Sequence, residues 1–309
     1  LPVLNIAGLV AGAVAVNNVV ASSGTAGILF SGDPNTGNVP VAAVPYGRIV
    51  NNTIYGAINT TGDISTATRV ISGIPTGILS VLRTGMTVSS GTDIPAGTTI
   101  TVVGTTVTMS QLPTKSVAGA ALAFAGTGVI VSDNAAPTLL NNVFASLGTA
   151  ISVDATSRTD SFGNTRTVIG GSAFYNVVSQ VSAGVTANQS ITLGSDPFVN
   201  ATRGNFYPVK GSAIIDSAIN SLQDRAESVA VTAAVGIAQS PILAPDRDLS
   251  GQRRDDDPSQ ASATGLGSNI FKDRGALDRV DFTQPRIAIT TPLDESPADK
   301  TSGAGGANI

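Results

Sequence analysis

Apolar and polar positions recur along the first half of the chain in two short patterns. In the first, apolar residues flank a pair of asparagines: Val16-Asn17-Asn18-Val19-Val20, Val50-Asn51-Asn52-Thr53-Ile54 and Leu140-Asn141-Asn142-Val143-Phe144. In the second, a glycine opens a short run rich in β-branched residues: Gly24-Thr25-Ala26-Gly27-Ile28-Leu29-Phe30, Gly126-Thr127-Gly128-Val129-Ile130-Val131 and Gly148-Thr149-Ala150-Ile151-Ser152-Val153. These runs are too short for helices and favour pleated backbone, so the two patterns predict alternating short strands. From Gly126 to Gly148 is 22 positions, which hold a strand, a turn and a second strand. A unit of that length buries its apolar face by stacking on its neighbours, which predicts an all-β chain folded as a right-handed parallel β-helix, a solenoid. Stacked in register, Asn17, Asn18, Asn51, Asn52, Asn141 and Asn142 form a structural amide ladder rather than an active site.

The repeats are interrupted. After Tyr55 the next Gly-Thr signal comes at Gly126. Residues 1–57 are therefore read as coils, 58–125 as an inserted β-hairpin-rich minidomain, and 126–195 as further coils. Thr98 to Val103 and Thr105 to Ser110 alternate strongly around Gly104, the signature of a hairpin. The run Gly85-Met86-Thr87-Val88 through Ile94-Pro95-Ala96-Gly97-Thr98-Thr99-Ile100 resembles a small all-β insert that recurs in large bacterial surface proteins. Val168-Ile169-Gly170 and Ala173-Phe174-Tyr175-Asn176 read as one more coil. The apolar stretch Leu4 to Ala21 is broken by Asn17-Asn18 and has no basic flank, so it reads as a strand pair and not as a signal peptide or spanning helix. A start at Leu1 rather than Met reads as a fragment or a processed product.

Three motifs follow in order: Asp196-Pro197-Phe198-Val199, Gly211-Ser212-Ala213-Ile214-Ile215-Asp216 and Asp273-Arg274-Gly275-Ala276-Leu277-Asp278. Together they resemble the closing segment of right-handed parallel β-helix domains in giant secreted bacterial cell-surface proteins of planctomycete type. The resemblance covers residues 190–282 and assigns 196–282 to that closing segment. It implies an architecture and an extracellular setting, and no reaction. Gln284-Pro285-Arg286-Ile287-Ala288-Ile289-Thr290 resembles the first strand of an Ig-like module, so residues 283–309 read as a linker and the start of a following domain.

Composition narrows the chemistry. The chain has neither Cys nor His, which removes disulfides, thiolate and imidazole metal ligands, and the usual base of serine hydrolases. A net charge of −4 and a pI near 4.7 lack the basic footprint of a nucleic-acid binder. Eight charged residues precede position 151 and thirty follow it, a contrast that solvated or paired surface loops would explain.

Polysaccharide lyases and hydrolases built on β-helices need clustered carboxylates. Up to residue 150 the acids are Asp33, Asp63, Asp93 and Asp133; Asp33 and Asp133 follow equivalent Gly-Thr strands and read as turn-capping residues before an acidic pair stacked on one face. The best ion site is the alternating set Asp246, Asp248, Asp255 and Asp257 around Gly251, whose oxygens suit calcium, although Arg247, Arg253 and Arg254 are placed to neutralise them. Tyr46, Tyr55, Phe144, Phe174, Tyr175, Phe198, Phe206 and Tyr207 are read as core or corner residues before a sugar-stacking stripe. Asn51, Asn59, Asn188 and Asn200 open N-x-Ser/Thr sequons.

The expectation is a non-catalytic structural module of a large bacterial extracellular protein, part of a surface layer, fibre or adhesin. Its expected partners are other copies or neighbouring domains. The alternatives are a β-helix that binds or cleaves polysaccharide and a phage tail-spike or fibre. No cofactor beyond calcium, no catalytic residue, no nucleic acid and no transmembrane segment is expected.

Overall fold

Runs of three to six extended residues, broken by residues that tolerate left-handed backbone, give short strands with sharp corners. A computed structural model of the chain describes residues 13–32, 46–159, 165–222, 242–257, 260 and 272–279. Asp33 and the predicted Ig-like start at 283–309 lie outside the described residues.

The first layer holds β1 (Val14–Val16), β2 (Val19–Ala21) and β3 (Ala26–Ser31). The second begins with β4 (Tyr46–Val50) and β5 (Thr53–Tyr55). The chain then leaves the layers for β6 (Ala57–Ser65), β7 (Thr68–Ser72), the one-turn helix α1 (Thr76–Leu79), β8 (Thr87–Ser89), β9 (Ile100–Val103), β10 (Thr106–Met109) and β11 (Val117–Ala125). It returns with β12 (Thr127–Ser132), which completes the second layer. The third layer is β13 (Ala136–Leu140) and β14 (Val143–Val153). After the helix α2 (Ala155–Arg158) come β15 (Val168–Gly170) and β16 (Ala173–Val181), then β17 (Ala187–Asn188) and β18 (Ile191–Leu193).

Every contact between successive layers is parallel. One sheet runs β1-β4-β13-β15-β17, and in it Val16, Val50, Leu140, Gly170 and Asn188 are register partners in turn. In the other, Ala21, Tyr55, Ala145, Tyr175 and Leu193 form the matching row. The long strand β14 shows how the insertion is accommodated: Val143 to Ala145 pair with β5, while Thr149 to Val153 pair with β12. The excursion therefore begins and ends within a single layer.

Between the sheets lies an apolar column that includes Ile49, Leu139 and Ile169 from one side and Val129, Val131, Ile151 and Phe144 from the other, each at most 1 % exposed. The rings of Phe144 and Phe174 stack at 5.7 Å between layers. At the ends the column thins out, and Val20, Ile28 and Phe30 in the first layer are only partly covered.

The six strands between residues 57 and 125 make an antiparallel sheet in the order β8-β11-β6-β7-β10-β9. Its two edges meet: the Val88 N–H donates to the Thr98 carbonyl at 2.9 Å and the Ile100 N–H to the Met86 carbonyl at 2.9 Å, which curls the sheet around its own core. Phe124, Leu122, Ile100, Val107, Met109 and Leu82 fill that core, and Gly104 (φ 60°) forms the β9–β10 turn.

Past the last layer, the hairpin β19 (Phe198–Asn200) and β20 (Asn205–Pro208) lays Phe198 and Phe206 against the outer face of β5 and β14. The Phe206 ring meets Tyr55 edge-on at 5.6 Å. A two-residue ladder joins β21 (Ser221–Leu222) to β22 (Ile242–Leu243), and the rest of the described closing segment is irregular.

Candidate functional site

The two asparagines of each pair do different work. Asn17, Asn51 and Asn141 hold positive φ values of 55°, 51° and 54°, the left-handed conformation that asparagine tolerates better than most residues. Each makes the corner between the two sheets. In the fourth and fifth layers the same corner is made by Gly171 (φ 65°) and Gln189 (φ 51°). The second asparagines turn their amides along the stack. Asn18 Nδ2 donates to Asn52 Oδ1 at 2.9 Å, and Asn52 Nδ2 donates to Asn142 Oδ1 at 3.0 Å. The backbone N–H groups of Asn18 and Asn52 donate to those same two oxygens at 2.9 Å. Asn142 Nδ2 reaches the Ile49 carbonyl at 2.8 Å. Asn51, Asn52, Asn141 and Asn142 are completely buried, so the Asn51 sequon is closed to modification in the folded chain.

The first asparagines face the closing segment. Asn17 Nδ2 donates to the Arg247 carbonyl at 2.6 Å, and Arg254 Nη2 donates to Asn17 Oδ1 at 3.0 Å. One layer on, Asn51 Nδ2 donates to the Asp273 carbonyl at 2.9 Å. Asn141 exchanges two bonds with Ile219, donating to its carbonyl at 2.7 Å and accepting from its N–H at 2.8 Å. Arg274 continues the row: Nη1 donates to the carbonyls of Gly171 (2.7 Å), Ser172 (2.9 Å) and Gln189 (3.1 Å), and Nε to that of Ser217 (3.0 Å). The closing segment thus touches a corner residue in all five layers. Gly275 (φ 94°) allows the close approach, since a Cβ there would sit 2.8 Å from Thr53 Oγ1 and 2.9 Å from Val143 Cγ2.

Carboxylates and cations brace this strap from behind. Asp273 accepts from the Asp216 N–H at 2.9 Å and from the Arg279 N–H at 2.7 Å. Asp278 accepts from the backbone N–H groups of Asp273 and Asp255, and its Oδ1 lies 3.4 Å from Arg254 Nη1. Asp216, Asp273, Asp278, Arg254 and Arg274 are all at most 1 % exposed. Reading the acidic and basic residues after position 151 as solvated or paired surface loops is therefore wrong for these five. Irregular backbone supplies most of the donors and acceptors that such buried charges require, while Asp216 Oδ1 and Arg254 Nε have no hydrogen-bond partner among the described residues. Sequence alone missed their role. The available signal was the coincidence of Asp216, Asp273 and Asp278 with the shared motifs.

The candidate calcium ligands sit in different surroundings. Asp246 is exposed and pairs with Lys272 Nζ at 2.7 Å. Asp248 accepts from the N–H groups of Ser250, Gln252 and Asp278. Asp255 is exposed and 3.6 Å from Arg253 Nε, while Asp257 is buried and 3.7 Å from Arg279 Nε. Among the described residues no three acidic side chains are gathered as an ion would need. The earlier acids are equally scattered: Asp63 accepts from the Gly119 N–H, Asp93 faces Lys115 at 3.8 Å, and Asp133 accepts from Ser31 Oγ.

No protein family, curated protein or solved structure matches this chain.

The electrostatics of the strap follow from its burial. Burial, followed by the neighbouring carboxylates of Asp256, Asp278 and Asp257, pushes Asp216 up to about 7. Burial also raises Asp273, with Asp278 beside it, and raises Asp278 in spite of Arg254. Burial lowers Arg254, and lowers Arg274 to about 10.

Away from the strap, a cleft of about 530 Å³ opens where β5, α1 and the closing hairpin meet, with Ser22, Tyr55, Asn59, Thr202 and Phe206 among its lining residues. Among the described residues no charged side chain lines it. Among the described residues, no helix is long and apolar enough to cross a membrane.

Proposed function

We propose that the five layers are successive turns of a right-handed parallel β-helix, and that the protein is a non-catalytic structural module of a larger extracellular bacterial protein, in a surface layer, fibre or adhesin. The parallel registers support the helix, and strand-to-strand crossovers between parallel neighbours are right-handed in the great majority of proteins. The observation that carries the structural role is the strap: asparagine and arginine side chains from distant parts of the chain tie one closing segment to every layer. A rod held in this way transmits load along its axis, because separating any two layers also breaks bonds to the strap. The resemblance of the three closing motifs to planctomycete-type surface proteins points the same way and supplies the extracellular setting.

Electron microscopy of the purified chain, with light scattering and a panel of polysaccharides, tests this reading. Rods or end-to-end assemblies without polysaccharide turnover are expected. Saturable cleavage of a polysaccharide would overturn the reading in favour of an enzyme, and a strict trimer in favour of a tail-spike.

The uncharged cleft beside Tyr55 and Asn59 favours one second reading, binding of a neutral oligosaccharide without cleavage. Titration with neutral oligosaccharides, comparing the native chain with Asn59→Ala, separates it from the first.

A further inference from the structure

We propose that a cleft beside Arg158, at the last layers of the stack, is a binding site for an acidic sugar, one that carries a carboxylate or a sulfate. The cleft has a volume of about 410 Å³, opens between the 154–167 loop and the chain leading into β17, and shares no lining residue with the uncharged cleft beside Tyr55. The loop is pinned by its own bonds. Asp154 caps α2 by accepting from the Ser157 N–H at 2.8 Å, Thr167 Oγ1 donates to the Ser157 carbonyl at 2.7 Å, and the Arg166 N–H donates to the Arg158 carbonyl at 2.8 Å. Arg158 Nε donates to the Val153 carbonyl at 3.0 Å, which sets the plane of the guanidinium and leaves its end-on fork, Nη1 and Nη2, uncommitted. Nη1 lies against Gly184, where a Cβ would stand 3.5 Å from it.

Among the described residues no ion pair holds Arg158 and no carboxylate lines the cleft. The acid at the head of the loop, Asp154, is taken up by the Asp133 and Ser157 N–H groups and the Thr156 hydroxyl. Thr159, Thr165, Thr186 and Asn188 line the rest of the cleft; all four are exposed, and their side chains make no hydrogen bond among the described residues. A guanidinium fork takes two oxygens of one anionic group, and the surrounding hydroxyls and amide match the hydroxyls of a sugar ring. No aromatic side chain lines the cleft among the described residues, so a nucleotide base would find no stacking face, and an acidic peptide would bring its carboxylate on an apolar stem with little use for three threonines. The inference goes beyond the structural role and does not depend on it.

Calorimetric titration of the full chain tests this, with oligogalacturonate and a sulfated oligosaccharide as acidic probes and with sodium acetate and sodium sulfate as bare ions. Saturable binding of at least one acidic probe is expected, tighter than that of its bare ion and weakened several-fold between roughly 20 and roughly 300 mM salt. Oligogalacturonate alone would name the carboxylate, the sulfated probe alone the sulfate, and both the shared anion. Arg158→Gln is expected to lower the affinity about tenfold or more. Asn188→Asp, at an exposed side chain without internal bonds, sets a carboxylate in the cleft and is expected to abolish binding while leaving the melting temperature unchanged. Asn59→Ala, in the other cleft, is expected to leave binding of the acidic probe intact. The proposal is overturned if neither acidic probe binds, if both bind no tighter than the bare ions, which would mean an adventitious ion only, or if binding survives Asn188→Asp.

Discussion

The stacked layers and the strap that closes them are held by opposite means. In the layers, strength comes from repetition: parallel backbone ladders, an apolar column and a buried row of amides, with each layer bonded to the one above and the one below. The strap has almost no regular structure. It is held by side chains, two buried arginines and three outward asparagines, reaching carbonyls and amides as far as 237 positions away in sequence. Damage to a repetitive element stays local, while damage to a strap is felt at several layers at once.

That contrast is broken most severely at Arg274. Arg274→Ala removes the buried donor shared by the carbonyls of Gly171, Ser172, Gln189 and Ser217, and a loss of about 3–5 kcal/mol is expected in chemical denaturation. Next comes Asn52→Ala, which removes a side chain that gives and takes bonds on both sides of its layer; about 3 kcal/mol is expected, against about 1 kcal/mol for Asn18→Ala at the exposed end of the same row. Gly275→Ala would press a Cβ against Thr53 and Val143 in a left-handed conformation, for about 2 kcal/mol, and proteolysis is expected to release the strap before the layers. Asp246→Asn breaks an ion pair whose acid is solvent-exposed, and no change outside measurement error is expected in the melting temperature.

How far each region was legible follows from the same contrast. The Asn-Asn pairs and Gly-Thr runs are periodic, so strands and corners could be read directly from residues 14–31, 46–55 and 126–153. Beyond that the signal faded for a definite reason. The left-handed corner needs only a residue that accepts positive φ, and Gly171-Ser172 and Gln189-Ser190 satisfy it without repeating the asparagines. The spacing also contracts, from 30 positions between Asn141 and Gly171 to 18 between Gly171 and Gln189. Within each pair, composition could not separate the inward amide from the outward one, because that depends on what lies across the corner. The strap was the least legible part. Asp273 and Arg274 look like surface charges until the backbone groups that receive them are known, and those groups come from elsewhere in the chain.

The central claim is that the outward asparagines and the arginines of the strap form one mechanical connection. A double-mutant cycle on Asn17 and Arg254, whose side chains meet at 3.0 Å, tests it most directly. With Asn17→Ala, Arg254→Ala and the double variant compared in chemical denaturation, a coupling of about 1–3 kcal/mol is predicted. Effects that add to within about 0.5 kcal/mol would mean that the strap and the layers are stabilised independently, and would contradict the account.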